Sequence, residues 1–494
     1  MTEETLDPQD WEALRRTAHR IVDDAIDYTA SLRERPVWQA MPADVREGFR
    51  CGLPQGPTPL DAVYDTLATQ MMPYPMGNIH PRFWMWFMGA SNVTGALGDF
   101  LAAILGSNVA GGDHAATAID RQVVDWLKQM LGYPESASGT LVSGGSVANL
   151  ICLTVARNRM AGIDVRAMGV AALAAPLRFY GSDQLHSCHQ KALETLGLGN
   201  GALRRIATHP DCTMDIAALR SALAEDRRQG WHPACVIATA GTTNTGAIDD
   251  LPALAALCRD EGLWMHVDGC IGALAAIAPR HGARLQGLEL ADSVALDPHK
   301  WLHAPFEVGC ALVRDAPAHR KAFTLTPEYL VPASRGISAG EWLFDYGLQT
   351  TRGFQALKVW MSLKEHGAEK FGRLIDQNID QAHRLGALVS TSPHMELIAP
   401  VVLNIVCFRY NPGGLSGEDL KRLNADIMLE MQDAGTAAVS DTTVRGVYCL
   451  RAAITNHRTV WADLELLVRE VCRLGLRAGA GAGHAARSQS DSGR

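Results

Sequence analysis

Apolar positions recur along this chain in three different registers. Near the start, Trp11, Leu14, Ala18, Ile21, Val22, Ala25 and Ile26 fall three or four residues apart, which is the spacing of one helix face. A proline-punctuated stretch follows, from Arg35-Pro36-Val37-Trp38 to Leu53-Pro54-Gln55-Gly56-Pro57-Thr58-Pro59, and reads as extended chain. Such an arm cannot bury its stripe alone. Residues 1–75 are therefore expected to pack on the chain's own large domain or on a partner subunit, with dimerisation the favoured use.

From about residue 76 to 375 short continuous apolar runs alternate with helical segments. Ala234-Cys235-Val236-Ile237-Ala238, Leu263-Trp264-Met265-His266-Val267, Val294-Ala295-Leu296 and Gly309-Cys310-Ala311-Leu312-Val313 read as strands, and 251–258 as a helix. The alternation predicts an α/β domain, a mainly parallel sheet with helices on both faces, in which ligands gather at the carboxyl ends of the strands. Past Pro393 the pattern changes. A strand at 401–409, a helix at 418–432, a strand at 448–454 and a helix at 459–474 predict a smaller α+β domain over 376–475. Residues 476–494 are rich in Gly, Ala and Ser without periodicity and are expected to be disordered. No internal repeat is found.

Composition narrows the function classes. A chain of 494 residues with net charge −8 has no long basic run, which argues against nucleic acid and anionic membrane as partners. No apolar run reaches membrane-spanning length, and the acidic start lacks an apolar signal segment. The eleven cysteines are scattered, with no Cys-x-x-Cys and no Cys/His cluster at zinc spacing, so no metal site is expected. An odd cysteine count points to reduced thiols and a cytoplasmic location.

The stretch Ala291-Asp292-Ser293-Val294-Ala295-Leu296-Asp297-Pro298-His299-Lys300-Trp301 carries the first chemical signal. Burial at a strand end lowers a lysine pKa and makes its amine a nucleophile for an aldehyde. Read alone, Lys300 is either such a Schiff-base lysine or one whose head reaches out to solvent. Four other stretches join it. Ser143-Gly144-Gly145-Ser146 is a turn opening a helix, either a phosphate cradle or a simple cap. His186 follows a strand and can stack on a flat ring or serve as a core residue. Thr242-Thr243-Asn244 reads as a small polar loop after a strand, either lining a ligand or only a turn. Asp268 ends a strand in His266-Val267-Asp268-Gly269, and its partner is either a protonated ring nitrogen or an arginine.

In this order the motifs resemble those of the pyridoxal-phosphate-dependent group II amino acid decarboxylases, the aromatic-L-amino-acid decarboxylase-like family. The likeness spans about residues 8–475 and rests on His80-Pro81-Arg82-Phe83, Ser143-Gly144-Gly145-Ser146, Asp183-Gln184-Leu185-His186-Ser187, His266-Val267-Asp268, Asp297-Pro298-His299-Lys300-Trp301 and Val406-Cys407-Phe408-Arg409. It implies the type I, aspartate-aminotransferase-like fold with a seven-stranded sheet, and a homodimer with its active site at the interface. It implies pyridoxal 5'-phosphate bound as a Schiff base to Lys300, with Asp268 on the ring nitrogen and His186 on the ring face. Gly145, Ser146 and His299 would take the phosphate, while Asp297 and Thr243 would contact the cofactor. Trp86, Phe87 and Gly89 would line the substrate pocket; Trp84 and Trp86 either add bulk there or are only core. The absence of an obvious arginine in those lining segments favours an aromatic or hydrophobic substrate over an acidic one.

One departure bears on the product. The family's mobile loop precedes Gly353-Phe354-Gln355-Ala356-Leu357-Lys358-Val359-Trp360 and carries a tyrosine that returns a proton to Cα. That position falls near Leu343 here, with Tyr346 the nearest tyrosine and Tyr329 at the loop's start. Tyr346 is therefore the expected proton donor, with His186 or water in reserve. In this family, loss of that hydroxyl goes with oxygen-consuming conversion to an aldehyde. Decarboxylation to an amine is the leading reading. Oxidative deamination, transamination and a non-catalytic cofactor-fold protein are its competitors.

Overall fold

The computed structural model describes residues 3–325 and 333–491; Tyr329 lies outside the described residues. Its strands in chain order are β1 (Phe83–Trp84), β2 (Ser138–Val142), β3 (Leu177–Ser182), β4 (Leu203–Ile206), β5 (His232–Thr239) and β6 (Trp264–Asp268). They continue with β7 (Ser293–Leu296), β8 (Gly309–Val313), β9 (Met395–Leu397), β10 (Ile405–Tyr410), β11 (Ala438–Val444) and β12 (Val447–Ala453). A seven-stranded sheet runs β2-β8-β7-β6-β5-β3-β4. Only β8 opposes the common direction, pairing antiparallel with both β7 and β2.

The unbroken apolar runs are explained by burial on two sides. Val236 and Ala238 of β5 pack into one cluster with Leu254 and Leu257. Cys235 and Ile237 face the other with Ile151 and Leu193. A strand covered on both faces has no solvent side on which to place polar residues. The register aligns Thr239 with Asp268, and Asp268 with Ala295, so the ends of β5, β6 and β7 lie side by side. This is the α/β, mainly parallel seven-stranded architecture expected of the type I fold.

A second sheet runs β1-β11-β12-β10-β9 and packs on the helices Ala368–Thr391, Gly417–Asp433 and Trp461–Asp491. Its first strand comes from far away: Phe83 and Trp84 pair parallel with Ala438 and Val439. Trp84 is fully buried there and donates to Thr459 Oγ1 at 3.2 Å, so its bulk fills this core instead of the substrate pocket. The last helix runs on to Asp491, through most of the stretch expected to be disordered, where alanines favour helix despite the glycines.

In the N-terminal segment, helix Trp11–Ala30 is capped by Asp10, whose carboxylate accepts from the N–H groups of Glu12 and Ala13. None of its residues is buried, and Trp11 and Ile26 remain exposed. Tyr64 donates to Asp24 at 2.7 Å and ties this helix to Leu60–Gln70. Among the described residues no helix is long and apolar enough to cross a membrane.

Candidate active site

The ends of β5, β6 and β7, the turn after β2 and the polar edge of β11 and β12 close around one cavity of about 620 Å³. Of the sequence-predicted residues, Lys300, Asp268, His186, Gly145, Ser146, Thr243, Asp297, His299, Trp86 and Phe87 all line it. Gly89 and Tyr346 do not.

Lys300 sits in the short helical turn Pro298–Trp301 that follows β7. Its Nζ lies 2.9 Å from Asp297 Oδ2 and 5.9 Å from the centre of the Phe87 ring. Sequence position alone suggests that burial lowers this lysine's pKa. Burial does act that way, but Asp297 outweighs it, with Cys270 and Asp268 adding to the effect, so the free amine is held charged. Nearby, the His299 Nδ1 accepts from the Val308 N–H at 3.1 Å, which leaves the ring proton on Nε2.

Asp268 is buried, and its two oxygens are engaged differently. Oδ1 accepts from the Cys270 N–H at 3.2 Å, and Oδ2 lies 2.8 Å from His189 Nε2. Burial alone would raise this carboxyl. The hydrogen bond and charge of His189 overcome that, and the group is held well below the usual carboxylate range. His186 stands exposed on the cavity wall, and its Nδ1 accepts from the Cys188 N–H at 3.3 Å.

Opposite these groups, helix Gly145–Met160 begins with its free N–H groups at the cavity. Its first turn is a natural seat for a phosphate. A Cβ at position 145 would collide with Cys270 Sγ and stand 2.8 Å from Asp297 Oδ2, so only glycine brings the backbone this close. A cationic amine, a buried carboxylate, an exposed histidine and a helix N-terminus around one cavity match the donor set of a flat, phosphorylated pyridine aldehyde.

Gly89 serves a different purpose from the one expected. A Cβ there would collide with the His299 carbonyl oxygen, so its bareness lets this segment back the lysine turn. The Tyr346 hydroxyl donates to Glu341, and its carbonyl accepts from His319 at 2.9 Å, away from the cavity. Leu343, near which the resemblance puts the family's tyrosine, is buried in the core.

Two further residues have a stake in the site that the sequence does not announce. His189 is the first. The second is Arg451 of β12, which faces the cavity although almost wholly buried. Its Nε donates to the Thr243 carbonyl at 2.8 Å, its Nη1 to the Trp86 carbonyl, and its Nη2 has no partner among the described residues. Burial lowers its pKa to about 10, so it stays charged at neutral pH. A buried cation with an unused donor at a cavity wall suits a carboxylate.

Residues 42–411 match the pyridoxal-dependent decarboxylase conserved domain. The chain is 35% identical over 468 residues to an aromatic-L-amino-acid decarboxylase of Bacillus atrophaeus, covering 93% of this chain and 95% of that one. It is 30% identical over 462 residues to a phenylacetaldehyde synthase of Arabidopsis thaliana, covering 91% and 93%. The crystal structure of Oryza sativa TDC with PLP and tryptamine superposes with a TM-score of 0.88 at 27% identity, covering 96% of this chain and all of that one.

Proposed function

The chain belongs to the pyridoxal-dependent decarboxylase family, and from that premise we propose that it converts an aromatic L-amino acid to its amine and carbon dioxide, with pyridoxal 5'-phosphate carried on Lys300. The observation that carries this reading is the meeting of Lys300, Asp268 and the first turn of helix Gly145–Met160 at one cavity.

Bound pyridoxal phosphate supplies an electron sink for the pair released when the Cα–carboxylate bond breaks. The chain's own residues hold and orient. Asp268 keeps a proton on the ring nitrogen, because a fixed carboxylate in a buried site stabilises the charge beside it. His186 covers the ring face. The N–H groups of Gly145 and Ser146, with His299 Nε2, take the phosphate. Thr243 closes the loop side, and Asp297 holds the free amine of Lys300 charged before the cofactor arrives. Trp86, Phe87 and Ile271 give the remaining wall its apolar character and favour an aromatic side chain.

The active unit in this reading is a homodimer. Helix Val93–Leu105 leaves Leu97, Phe100, Leu101, Ile104 and Leu105 exposed, and Trp86 is exposed at the cavity rim. An apolar surface of this kind calls for a partner. Sedimentation equilibrium of the holoenzyme is expected to return twice the chain mass; a monomer at micromolar concentration would refute the dimer.

A second reading has its own observation. No tyrosine lines the cavity among the described residues, so proton return to Cα has no phenol in place. Without it, reaction with dioxygen and water would yield aldehyde, ammonia and hydrogen peroxide alongside carbon dioxide. Assaying tryptophan, tyrosine and phenylalanine for all five products is expected to give amine and carbon dioxide in equal amounts. Peroxide equal to carbon dioxide would select the aldehyde route, and no carbon dioxide from any amino acid would defeat both.

A further inference from the structure

Behind Asp268 lies a buried polar group that none of the steps above uses. His189, on the first turn of helix Cys188–Thr195, has no solvent exposure, and its Nε2 is 2.8 Å from Asp268 Oδ2. Its Nδ1 has no partner among the described residues. A hydrophobic side chain would fill this space at less expense, since burying an imidazole with one nitrogen unsatisfied is unfavourable.

The residues around it set its role. A second histidine, His266, has its ring 6.0 Å away, between centroids. Asn149 turns its amide nitrogen toward the sulfurs of Cys188 and Cys270, both at 3.7 Å, so its oxygen accepts from His266 Nε2 at 2.7 Å. Trp264 Nε1 donates to Ser293 Oγ at 2.9 Å, and that hydroxyl is 2.9 Å from His266 Nδ1 and donates to it. Both His266 nitrogens are thus satisfied with the ring neutral, and burial with the neighbouring His189 lowers its pKa to about 3. His189 differs. Burial acts against its charge, but Cys188 and Asp268 outweigh that and raise it to about 9. On the protein side of Asp268, His189 is therefore the cation. On the cavity side the cation is Lys300.

We propose that His189 is a positioning residue that keeps the Asp268 carboxylate ionised and aimed at the ring nitrogen of the cofactor. The inference rests on the reading that pyridoxal phosphate binds with its nitrogen at Asp268. One oxygen is fixed by the Cys270 N–H and the other by the imidazole, which restrains rotation of a side chain that lines the cavity. Without the imidazole, the groups facing Asp268 are Cys188, Cys270, neutral His266, His186 and Lys300, and burial pushes the carboxyl toward its neutral form. That loss acts on the acid side, because protonation of Asp268 removes the charge that the ring nitrogen needs.

The test measures cofactor binding by its visible absorbance from pH 6 to 8.5, with pyridoxal phosphate and with the 1-deaza analogue that has carbon in place of the ring nitrogen. His189→Leu is expected to weaken pyridoxal phosphate binding roughly ten- to a hundredfold, with the loss growing toward pH 6. His189→Gln, which keeps a donor within reach, should stay within about threefold of the native chain, while the shorter His189→Asn should resemble leucine. The deaza analogue should bind the native chain and His189→Leu alike. Equal weakening for both cofactors, failure of glutamine to rescue, or native-like binding by the leucine variant would each overturn the assignment. A native chain that binds no pyridoxal phosphate would instead overturn the underlying reading. If the leucine variant does not fold, the glutamine and asparagine pair carries the comparison.

Discussion

Lys300→Ala is expected to abolish the visible absorbance of bound pyridoxal phosphate and to lower carbon dioxide release by about a thousandfold or more. Among the described residues Lys300 carries the only primary amine that lines the cavity, and it stands at the end of β7 beside Asp297. Without it, cofactor and substrate must meet without being held in one frame, and the advantage of an intramolecular reaction is lost. Lys300→Arg sharpens the comparison. It restores a cation next to Asp297 but supplies no amine that can form an imine, so it should recover stability without recovering turnover. The measurement is single-turnover carbon dioxide release from the reconstituted variants, with circular dichroism to verify the fold. Alanine activity within tenfold of native would mean that Lys300 does not carry the cofactor.

Much of this site can be read from the sequence because its parts lie at strand ends. A continuous apolar run of four or five residues gives a buried strand, and in a parallel sheet the polar residue that ends each run falls at the same edge. Asp268, Asp297 and Lys300 are legible in that way. Other features depend on contacts the sequence does not display. Two residues, Phe83 and Trp84, have no periodicity, so nothing in the pattern reveals β1 or its pairing with Ala438 and Val439. Arg451 interrupts an apolar strand much as any outward-facing residue would; only the register Ser440↔Arg451 places it under the cavity. His189 lies three residues after His186, and helical spacing alone does not tell which of two histidines lines the cavity and which meets Asp268. Gly89 reads as lining because its neighbours line, whereas its lack of a Cβ serves the carbonyl of His299. Tyr346 stands out by nearness in sequence, but the helical turn Leu343–Tyr346 directs its hydroxyl to Glu341.

Asp268→Ala is expected to reduce turnover about a hundred- to a thousandfold and to destabilise the cofactor-free protein in a pH-dependent way. In the proposed reading the first effect follows from the loss of the carboxylate that would hold a proton on the ring nitrogen. The second follows from His189, which would stay buried without its anionic partner. In the native chain the Asp268 carboxyl is depressed, so its contribution to stability is present above the unfolded value near 4 and is lost only as pH falls further. The His189 imidazole is raised from 6.5 to about 9, so its contribution is complete below pH 6.5 and is lost as pH rises through about 9. Between about pH 5 and 6.5 both are in force, and the imidazole owes its rise to Cys188 as well as to Asp268. The difference in denaturant stability between native and Asp268→Ala should therefore be largest near pH 6 and shrink steadily toward pH 9.5. Asp268→Asn should recover packing but only part of that pH dependence, because a neutral amide removes one of the two groups, Cys188 and Asp268, that raise the imidazole. A native-minus-alanine difference that stays flat from pH 6 to 9.5 would show that the two side chains are not joined as an ion pair.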